Sequence, residues 1–251
     1  MAIVMEGVHF SHSNVFSLED ISLHVPAGKL SVLLGKNGSG KSTLLRLLAG
    51  VSAPARGRIV VLGEDLSELS VAERAKILGY LPQFHYPVFP YSVEEVVITG
   101  RASYVWTVPR NRDRDKAEEA LVKVGIAHLR KRPYTELSGG ERQLVMMARV
   151  LAQEPKVILL DEPLSHLDLS NQSRLVKLFR HLVNEGLTVL AVLHDPNVAF
   201  VAGESFFFLK AGRLMWPEEG KDPWDASFIS DLYETSVRTV PFDGRALVVP
   251  A

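Results

Sequence analysis

Gly35-Lys36-Asn37-Gly38-Ser39-Gly40-Lys41-Ser42-Thr43 follows the apolar run Leu30-Ser31-Val32-Leu33-Leu34 and precedes Leu44, Leu45, Leu47 and Leu48 at helical spacing. A glycine-rich turn closing in Gly-Lys-Ser between a buried strand and a helix is the pattern of a phosphate-binding loop. The glycines let successive backbone N–H groups curl toward phosphate oxygens, and the helix starting near Lys41 adds the positive end of its dipole. Side chains at Gly38 or Gly40 are expected to block that approach. Lys41 is placed to reach the β and γ phosphates, and the Ser42 hydroxyl is a natural Mg2+ ligand. Gly35, Asn37, Gly38, Ser39, Gly40, Lys41, Ser42 and Thr43 are therefore expected to bind a nucleoside triphosphate.

Upstream of this loop the chain reads as strands, Ile3 to Phe10, Ile21 to Val25 and Leu30 to Leu34, punctuated by turn chemistry at His12-Ser13-Asn14 and Pro26-Ala27-Gly28. Downstream, Pro54 to Gly57 turns into a strand from Arg58 to Leu62, and Ser70-Val71-Ala72-Glu73 opens a short helix with a capping box. From Ser92 to Leu151 the pattern is mostly helical: Ser92 to Gly100, Asp113 to a terminating Gly125, and Glu141 to Gln153. The α/β alternation then resumes with strand Val157 to Asp161, helix Ser170 to Asn184, strand Thr188 to Leu193, helix Pro196 to Ala202 and a hairpin through Phe206 to Met215. This order predicts an α/β core over residues 1–83 and 153–220, a helical insert over 84–152, and a short C-terminal extension over 221–251.

With 251 residues and 47% hydrophobic content, the chain is long and apolar enough for one well-packed domain. A formal net charge of −1 gives no basic field, so nucleic acid is not expected as a partner. The absence of cysteine excludes disulfides and thiolate metal sites. The N-terminus has no basic region followed by an apolar one, and no apolar run approaches the roughly 18 residues of a membrane span. The expectation is a chain that neither is exported nor crosses a membrane by itself.

Two further motifs carry chemistry. Val157-Ile158-Leu159-Leu160-Asp161-Glu162 is an apolar strand delivering two carboxylates to a sheet edge, where ligands of open α/β sheets gather. Asp161 is expected to hold Mg2+ and Glu162 to polarise the water that attacks the γ-phosphate. Strand alternation would send the two acids to opposite faces and give them separate roles. Leu137-Ser138-Gly139-Gly140-Glu141 precedes a helix with apolar Leu144, Met147, Ala148 and Leu151. Its capped, glycine-rich start is a second anion site in a chain that already has one.

Together GKNGSGKST, LSGGE and VILLDEP make the chain resemble an ABC-transporter ATPase subunit from about residue 3 to about 215. The resemblance implies an α/β fold: a RecA-like P-loop NTPase core with a mixed sheet, an N-terminal antiparallel β subdomain and an inserted α-helical subdomain. It also implies ATP as substrate, Mg2+, and a head-to-tail dimer. In that dimer Ser138, Gly139, Gly140 and Glu141 of one copy face the phosphate loop of the other. By position, Gln83 matches the glutamine that touches Mg2+ and the attacking water, Asp168 belongs to the loop crossing the dimer interface, and His194 matches the histidine that contacts the γ-phosphate. Glu162, His194, Gln83 and Lys41 are thus the catalytic candidates, and Ser42, Gln83 and Asp161 the metal candidates. His12 occupies the place of the adenine-stacking aromatic, with Phe10 and Phe16 as alternatives. Leu164 and His166 depart from the residues common at those places in the family.

A separate ATPase chain with one phosphate loop and one Leu137–Glu141 motif resembles importer subunits, two of which sit under a polytopic membrane permease with a substrate-binding protein acting upstream. That resemblance places it on the cytoplasmic face of the membrane. Leu81-Pro82-Gln83, Thr99-Gly100-Arg101 with Tyr104, and Ser165 through Gln172 are closest to ATPases serving iron-siderophore, haem, cobalamin and sometimes molybdate or tungstate uptake. A soluble iron–sulfur assembly ATPase and an exporter subunit are the rival readings. Residues 84–91, aromatic and proline-stiffened, are expected to form the permease-docking surface. Residues 216–251 are too few for a large regulatory domain, though Trp224 to Tyr233 can form one packed helix.

Overall fold

The computed structural model describes every residue except 13–15, 84–89, 106 and 166, and only the backbone of His12. Burial of alternate residues on two sides of one sheet organises the chain. The strands β3 (Leu30–Leu34), β6 (Leu78–Leu81), β7 (Val157–Asp161), β8 (Thr188–Val192) and β9 (Ser205–Lys210) run parallel, and β10 (Arg213–Met215) closes the edge antiparallel. Their spatial order is β10-β9-β3-β8-β7-β6. Every residue of β3, β7 and β8 is buried, which is why these strands read as continuous apolar runs rather than alternating ones.

On one face Leu33, Leu159, Leu190 and Val192 meet Leu44, Leu45, Leu47 and Leu48 of helix α1 (Lys41–Leu48). Beyond α1 lies an antiparallel sheet of β1 (Ile3–His12), β2 (Phe16–Val25), β4 (Arg56–Val61) and β5 (Glu64–Asp65), in the order β2-β1-β4-β5. The opposite face of the parallel sheet presents Val32, Leu34, Ile158, Leu160, Val189 and Ala191 to a second cluster. That cluster is built from α5 (Gly139–Ala152), α6 (Leu169–Asn184) and α7 (Pro196–Ala202). The short helix α2 (Val71–Ile77) carries the capping box expected at Ser70 and Glu73.

Between β6 and β7 the chain folds α3 (Val93–Ile98), α4 (Asn111–Val124) and α5 against one another. Gly125 ends α4 at φ 75°, the left-handed conformation that a β-carbon disfavours. The Gln153 amide at the end of α5 donates to the carbonyls of Ala75 and Leu78, fastening these helices to the sheet. Arg101 is 2% exposed among them. Its guanidinium donates to Asp113 (3.2 Å), to the Ala152 carbonyl (2.9 Å) and to Glu154 (2.7 Å), and stacks 3.9 Å from the centre of the Tyr104 ring.

Several boundaries differ from the sequence reading, three of them with structural consequences. β2 begins at Phe16 rather than Ile21 because pairing with β1 continues to His12. α5 begins at Gly139, so both glycines of the Leu137–Glu141 motif lie inside its first turn behind the Ser138 cap. The C-terminal residues hold more structure than one helix: α8 (Ala226–Tyr233) is followed by a hairpin of β11 (Val237–Phe242) and β12 (Arg245–Pro250). Asp243 and Gly244 turn this hairpin with positive φ at both (47° and 72°), the combination that Asp-Gly supplies in tight turns matching strand twist.

Breaking the Arg101 network tests how far these helices depend on it. Arg101→Met leaves Asp113 buried without its cation and is expected to destabilise the chain by about 3 kcal/mol. Arg101→Lys also loses stability, since an ammonium cannot reproduce the planar fork. Urea denaturation reads both, and an unchanged midpoint for Arg101→Met would contradict the assignment.

Candidate functional site

The parallel strands all end at one edge, and the polar residues that follow them converge there. After β3 the chain enters Gly35 at φ 152°, where a β-carbon would lie 2.1 Å from the Leu209 carbonyl oxygen of the neighbouring strand. Gly40 caps α1 at φ 107°, and a β-carbon there would lie 2.3 Å from the Phe16 ring. Gly38, at φ 80°, faces open space, so its requirement for glycine is conformational and not one of room. No side chain caps α1, which leaves its first-turn N–H groups directed at the cavity. Ser39 Oγ is buried in the loop without a hydrogen-bond partner among the described residues.

Lys41 is 5% exposed and folds back, its ammonium donating to the carbonyls of Gly35 (2.7 Å) and Lys36 (3.0 Å). Burial pulls its pKa down from the usual lysine value, against the attraction of Glu162 and Asp161. Ser42 Oγ donates to Asp161 Oδ1 at 3.0 Å. Asp161 is buried, and desolvation raises its pKa despite that hydrogen bond and the nearby Lys41. Tyr80 stands beside Asp161, and burial together with that carboxylate pushes the phenol up to about 12.

Glu162 is separated from Asp161 by a backbone twist and not by strand alternation. β7 ends at Asp161, and Glu162 takes the left-handed conformation, φ 53°, with its N–H bonded to the Val192 carbonyl at 3.2 Å. A glutamate in that conformation is strained, and such strain persists where surrounding contacts fix it. Here Gln83 Nε2, His194 Nε2 and Ser165 Oγ (3.2 Å) all meet Glu162 Oε2. Gln83 follows β6 by two residues, and His194 follows β8 by two. Three separate strand ends therefore hold one carboxylate.

A cavity of about 660 Å³ joins these groups, lined by Asn37, Gly38, Gly40, Lys41, Ser42 and Thr43 of the loop and by Gln83, Glu162 and His194. Phe10 and Phe16 form part of its wall, whereas the side chain of His12 lies outside the described residues. Residues 84–89, and with them most of the expected docking surface, lie outside the description as well. Arg46 and Ser52 line the cavity, and Tyr80 and Ser165 touch its carboxylates; the sequence reading gave none of the four a role. Tyr80 and Ser165 lie inside motifs already recognised, but nothing in a linear pattern shows that their hydroxyls turn toward Asp161 and Glu162.

Ser138, Gly139, Gly140, Glu141 and Asp168 are not among the residues lining this cavity. Ser138 and Glu141 close the capping box on α5, with Ser138 N–H to Glu141 Oε2 at 2.8 Å. Asp168 caps α6 by accepting from the Asn171 N–H at 2.8 Å. The two helix starts adjoin, since a β-carbon on Gly140 would stand 3.1 Å from the Asn171 amide.

The donor set suits a magnesium nucleotide. Ser42, Asp161 and the Gln83 amide offer hard oxygen atoms, and among the described residues no group of three or more His, Cys, Asp or Glu could hold a metal alone. Phosphate oxygens would have to complete the shell, as they do for nucleotide-bound Mg2+.

Fold and site together define a P-loop nucleotide-binding cassette. The family model for ABC transporters matches residues 18–165, and the chain belongs to the ABC transporter ATP-binding family. The hemin import ATP-binding protein HmuV of Pseudomonas putida is 40% identical over 253 residues, covering 98% of each chain. A solved structure described as the inward-facing conformation of an ABC transporter of metal-chelate type superposes over all of this chain and 97% of its own, at 31% identity and a TM-score of 0.85. A dimeric ATP-binding cassette with ADP and phosphate bound superposes over 88% of this chain and 99% of its own, at 26% identity and a TM-score of 0.76.

Gly40→Ala probes the loop. The new methyl group meets Phe16 and strains a left-handed residue, so affinity for a fluorescent ATP analogue is expected to fall about tenfold or more, the scale of one strained backbone position. Wild-type affinity in that variant would show that the loop does not need this geometry.

Proposed function

We propose that this chain is the ATP-hydrolysing subunit of an importer for haem or a chemically related metal chelate, working as a head-to-tail dimer under a membrane permease. The observation that carries the hydrolytic part is the meeting of Gln83, His194 and Ser165 on one oxygen of Glu162 beside the phosphate loop. That oxygen is positioned as general base: it takes a proton from the water attacking the γ-phosphorus, and the bond to the ADP oxygen breaks. Lys41 leaves its carbonyl partners for the β and γ phosphates, and the free N–H groups of the loop complete the cradle. Ser42, Asp161 and Gln83 would hold Mg2+, which when bound would neutralise phosphate charge. Gln83 and His194 keep the Glu162 carboxylate oriented, and His194 reaches the γ-phosphate.

The dimer follows from what the cavity lacks. Within one chain the capped N-terminus of α5 does not line the phosphate cavity, so its N–H groups have no nucleotide to bind. A second copy turned head to tail brings Ser138 through Glu141 onto the γ-phosphate, and the dimeric cassette with ADP and phosphate supports such an arrangement. No helix among the described residues is long and apolar enough to cross a membrane, and the cargo path is assigned here to a separate permease, the arrangement general to importers of this family. Haem is favoured among the chelates by the hemin import relative aligned over nearly the full length of both chains. Iron-siderophore, cobalamin and molybdate or tungstate are the neighbouring possibilities, and a periplasmic or surface binding protein delivers the cargo from outside.

Glu162→Gln tests mechanism and dimer together. Hydrolysis is expected to fall at least about 100-fold, the usual contribution of a general base. ATP binding persists, and gel filtration with ATP then shows a stable dimer. Turnover near the wild-type rate removes Glu162 from the role. For cargo, cells deleted for this chain are expected to lose growth on haem as sole iron source and to regain it with the wild-type chain but not with Glu162→Gln. Unimpaired growth on haem with lost use of another chelate would move the assignment to that chelate.

A further inference from the structure

The C-terminal residues touch two of the nucleotide loops from outside the cavity. Glu234 ends α8 in the left-handed conformation (φ 54°, ψ 41°), where glycine or asparagine is usual. Its carboxylate pairs with Lys36 Nζ at 2.6 Å, both side chains being about half exposed. An ion pair so open to solvent adds little to stability, so fold stability alone does not account for a glutamate at a strained cap. Lys36, however, belongs to the phosphate loop. Its carbonyl accepts hydrogen bonds from Lys41 Nζ and from the Ser39 N–H.

The neighbouring Tyr233 buries its hydroxyl near the Gly35 backbone and within the field of Asp195, with no hydrogen-bond partner among the described residues. Burial, reinforced by Asp195, raises its pKa and keeps it neutral. The hairpin makes the other attachment. Asn197, three residues beyond His194, donates to the Val248 carbonyl (3.1 Å) and accepts from the Val248 N–H (2.7 Å), imitating a strand neighbour along β12. Lys210 fixes α8 to β9 through the Asp231 carbonyl and carboxylate, both at 2.7 Å.

We propose that α8 and the β11–β12 hairpin form a strap that sets the phosphate loop against the His194 loop, with Glu234, Tyr233 and Asn197 as positioning residues for ATP hydrolysis. Glu234 holds the loop at Lys36, whose carbonyl accepts the Ser39 N–H and so fixes the turn of the phosphate cradle. Asn197 holds the first turn of α7, from which the chain leads back to His194. The buried Tyr233 hydroxyl sits beside the Gly35 backbone and within the field of Asp195. Slack at Glu234 reaches the groups that bind phosphate, whereas slack at Asn197 reaches the group that orients Glu162. This inference rests on the ATPase reading above.

The test uses the full chain with Glu234→Gln, Lys36→Gln, the double variant, Glu234→Gly and Asn197→Ala, measuring kcat, KM for ATP and melting temperature. Glu234→Gln is expected to raise KM about fivefold with kcat retained, within the range of couplings between contacting side chains. Lys36→Gln does the same, and the double variant is no worse than either. Glu234→Gly relieves the left-handed strain, so its melting temperature rises while its KM also rises, a split that a merely structural role does not produce. Asn197→Ala lowers kcat with KM retained. Wild-type KM in Glu234→Gln, or effects that multiply in the double variant, would overturn the strap. A wild-type chain without ATP turnover would overturn the ATPase reading and the strap with it.

Discussion

Burial of β3, β7 and β8 on both faces is the constraint from which the site follows. A charged side chain midway along a strand covered by α1 on one side and by α5 to α7 on the other would be cut off from water, and between the ends of these three strands the polar side chain is the small Ser31. Polar residues are therefore displaced to the strand ends, and in a parallel sheet all the C-terminal ends lie at one edge. Gly35 follows β3, Asp161 and Glu162 close β7, His194 follows β8 and Gln83 follows β6. The cavity is assembled by the same packing that makes the core, and its residues come from distant parts of the chain because the strand order is not the sequence order.

Electrostatics then restricts what that cavity can hold. Lys41 is buried beside two buried carboxylates, and the Glu162 charge adds to the cost of ionising Asp161. Burial pulls the lysine toward neutrality and Asp161 toward protonation; Glu162 and then Asp161 oppose the shift on Lys41, and the Ser42 hydrogen bond, then Lys41, oppose that on Asp161. A triphosphate entering alone would add negative charge beside Asp161 and Glu162. With a divalent cation between phosphate and Asp161 the charges alternate, Lys41 is released from the loop carbonyls, and Glu162 remains free to accept a proton. The backbone N–H groups at the start of α1 add attraction without the desolvation cost of a further ion.

The sequence made most of this frame legible because the informative residues are punctuation and not bulk. Glycines at forced φ, the acidic end of an apolar strand and Ser-x-x-Glu caps appear in the structure where the linear pattern puts them. Residues of the phosphate loop, Glu162, Gln83 and His194 line one cavity, which Asp161 does not line itself but meets through Ser42, although only motif resemblance, and no local property of Gln83 or His194, linked them in the sequence. The twist at Glu162 was hidden, since strand periodicity suggests alternation and left-handed glutamate has no sequence mark. The hairpin at Asp243-Gly244 did have its mark, an Asp-Gly turn between β-branched residues, but it lies beyond the motifs. The contact of Glu234 with Lys36 joins residues nearly 200 positions apart and depends wholly on how α8 docks. No pattern along the chain encodes it.

Helix α5 connects the region that faces away from the cavity to the carboxylate within it. Its fourteen residues extend about 21 Å at the usual helical rise. Near its start the Gln143 amide donates to the Pro163 carbonyl at 3.2 Å, one residue past Glu162. At its end Gln153 donates to carbonyls of α2 and β6, the strand that leads into Gln83. A helix is stiff along its axis, so α5 cannot tilt about one attachment without straining the other. Pressure on the Ser138 cap is thereby felt at both residues that meet on the Glu162 oxygen or hold its turn. The structure thus ties the turn that carries Glu162 to a helix whose N-terminus does not line the phosphate cavity of its own chain.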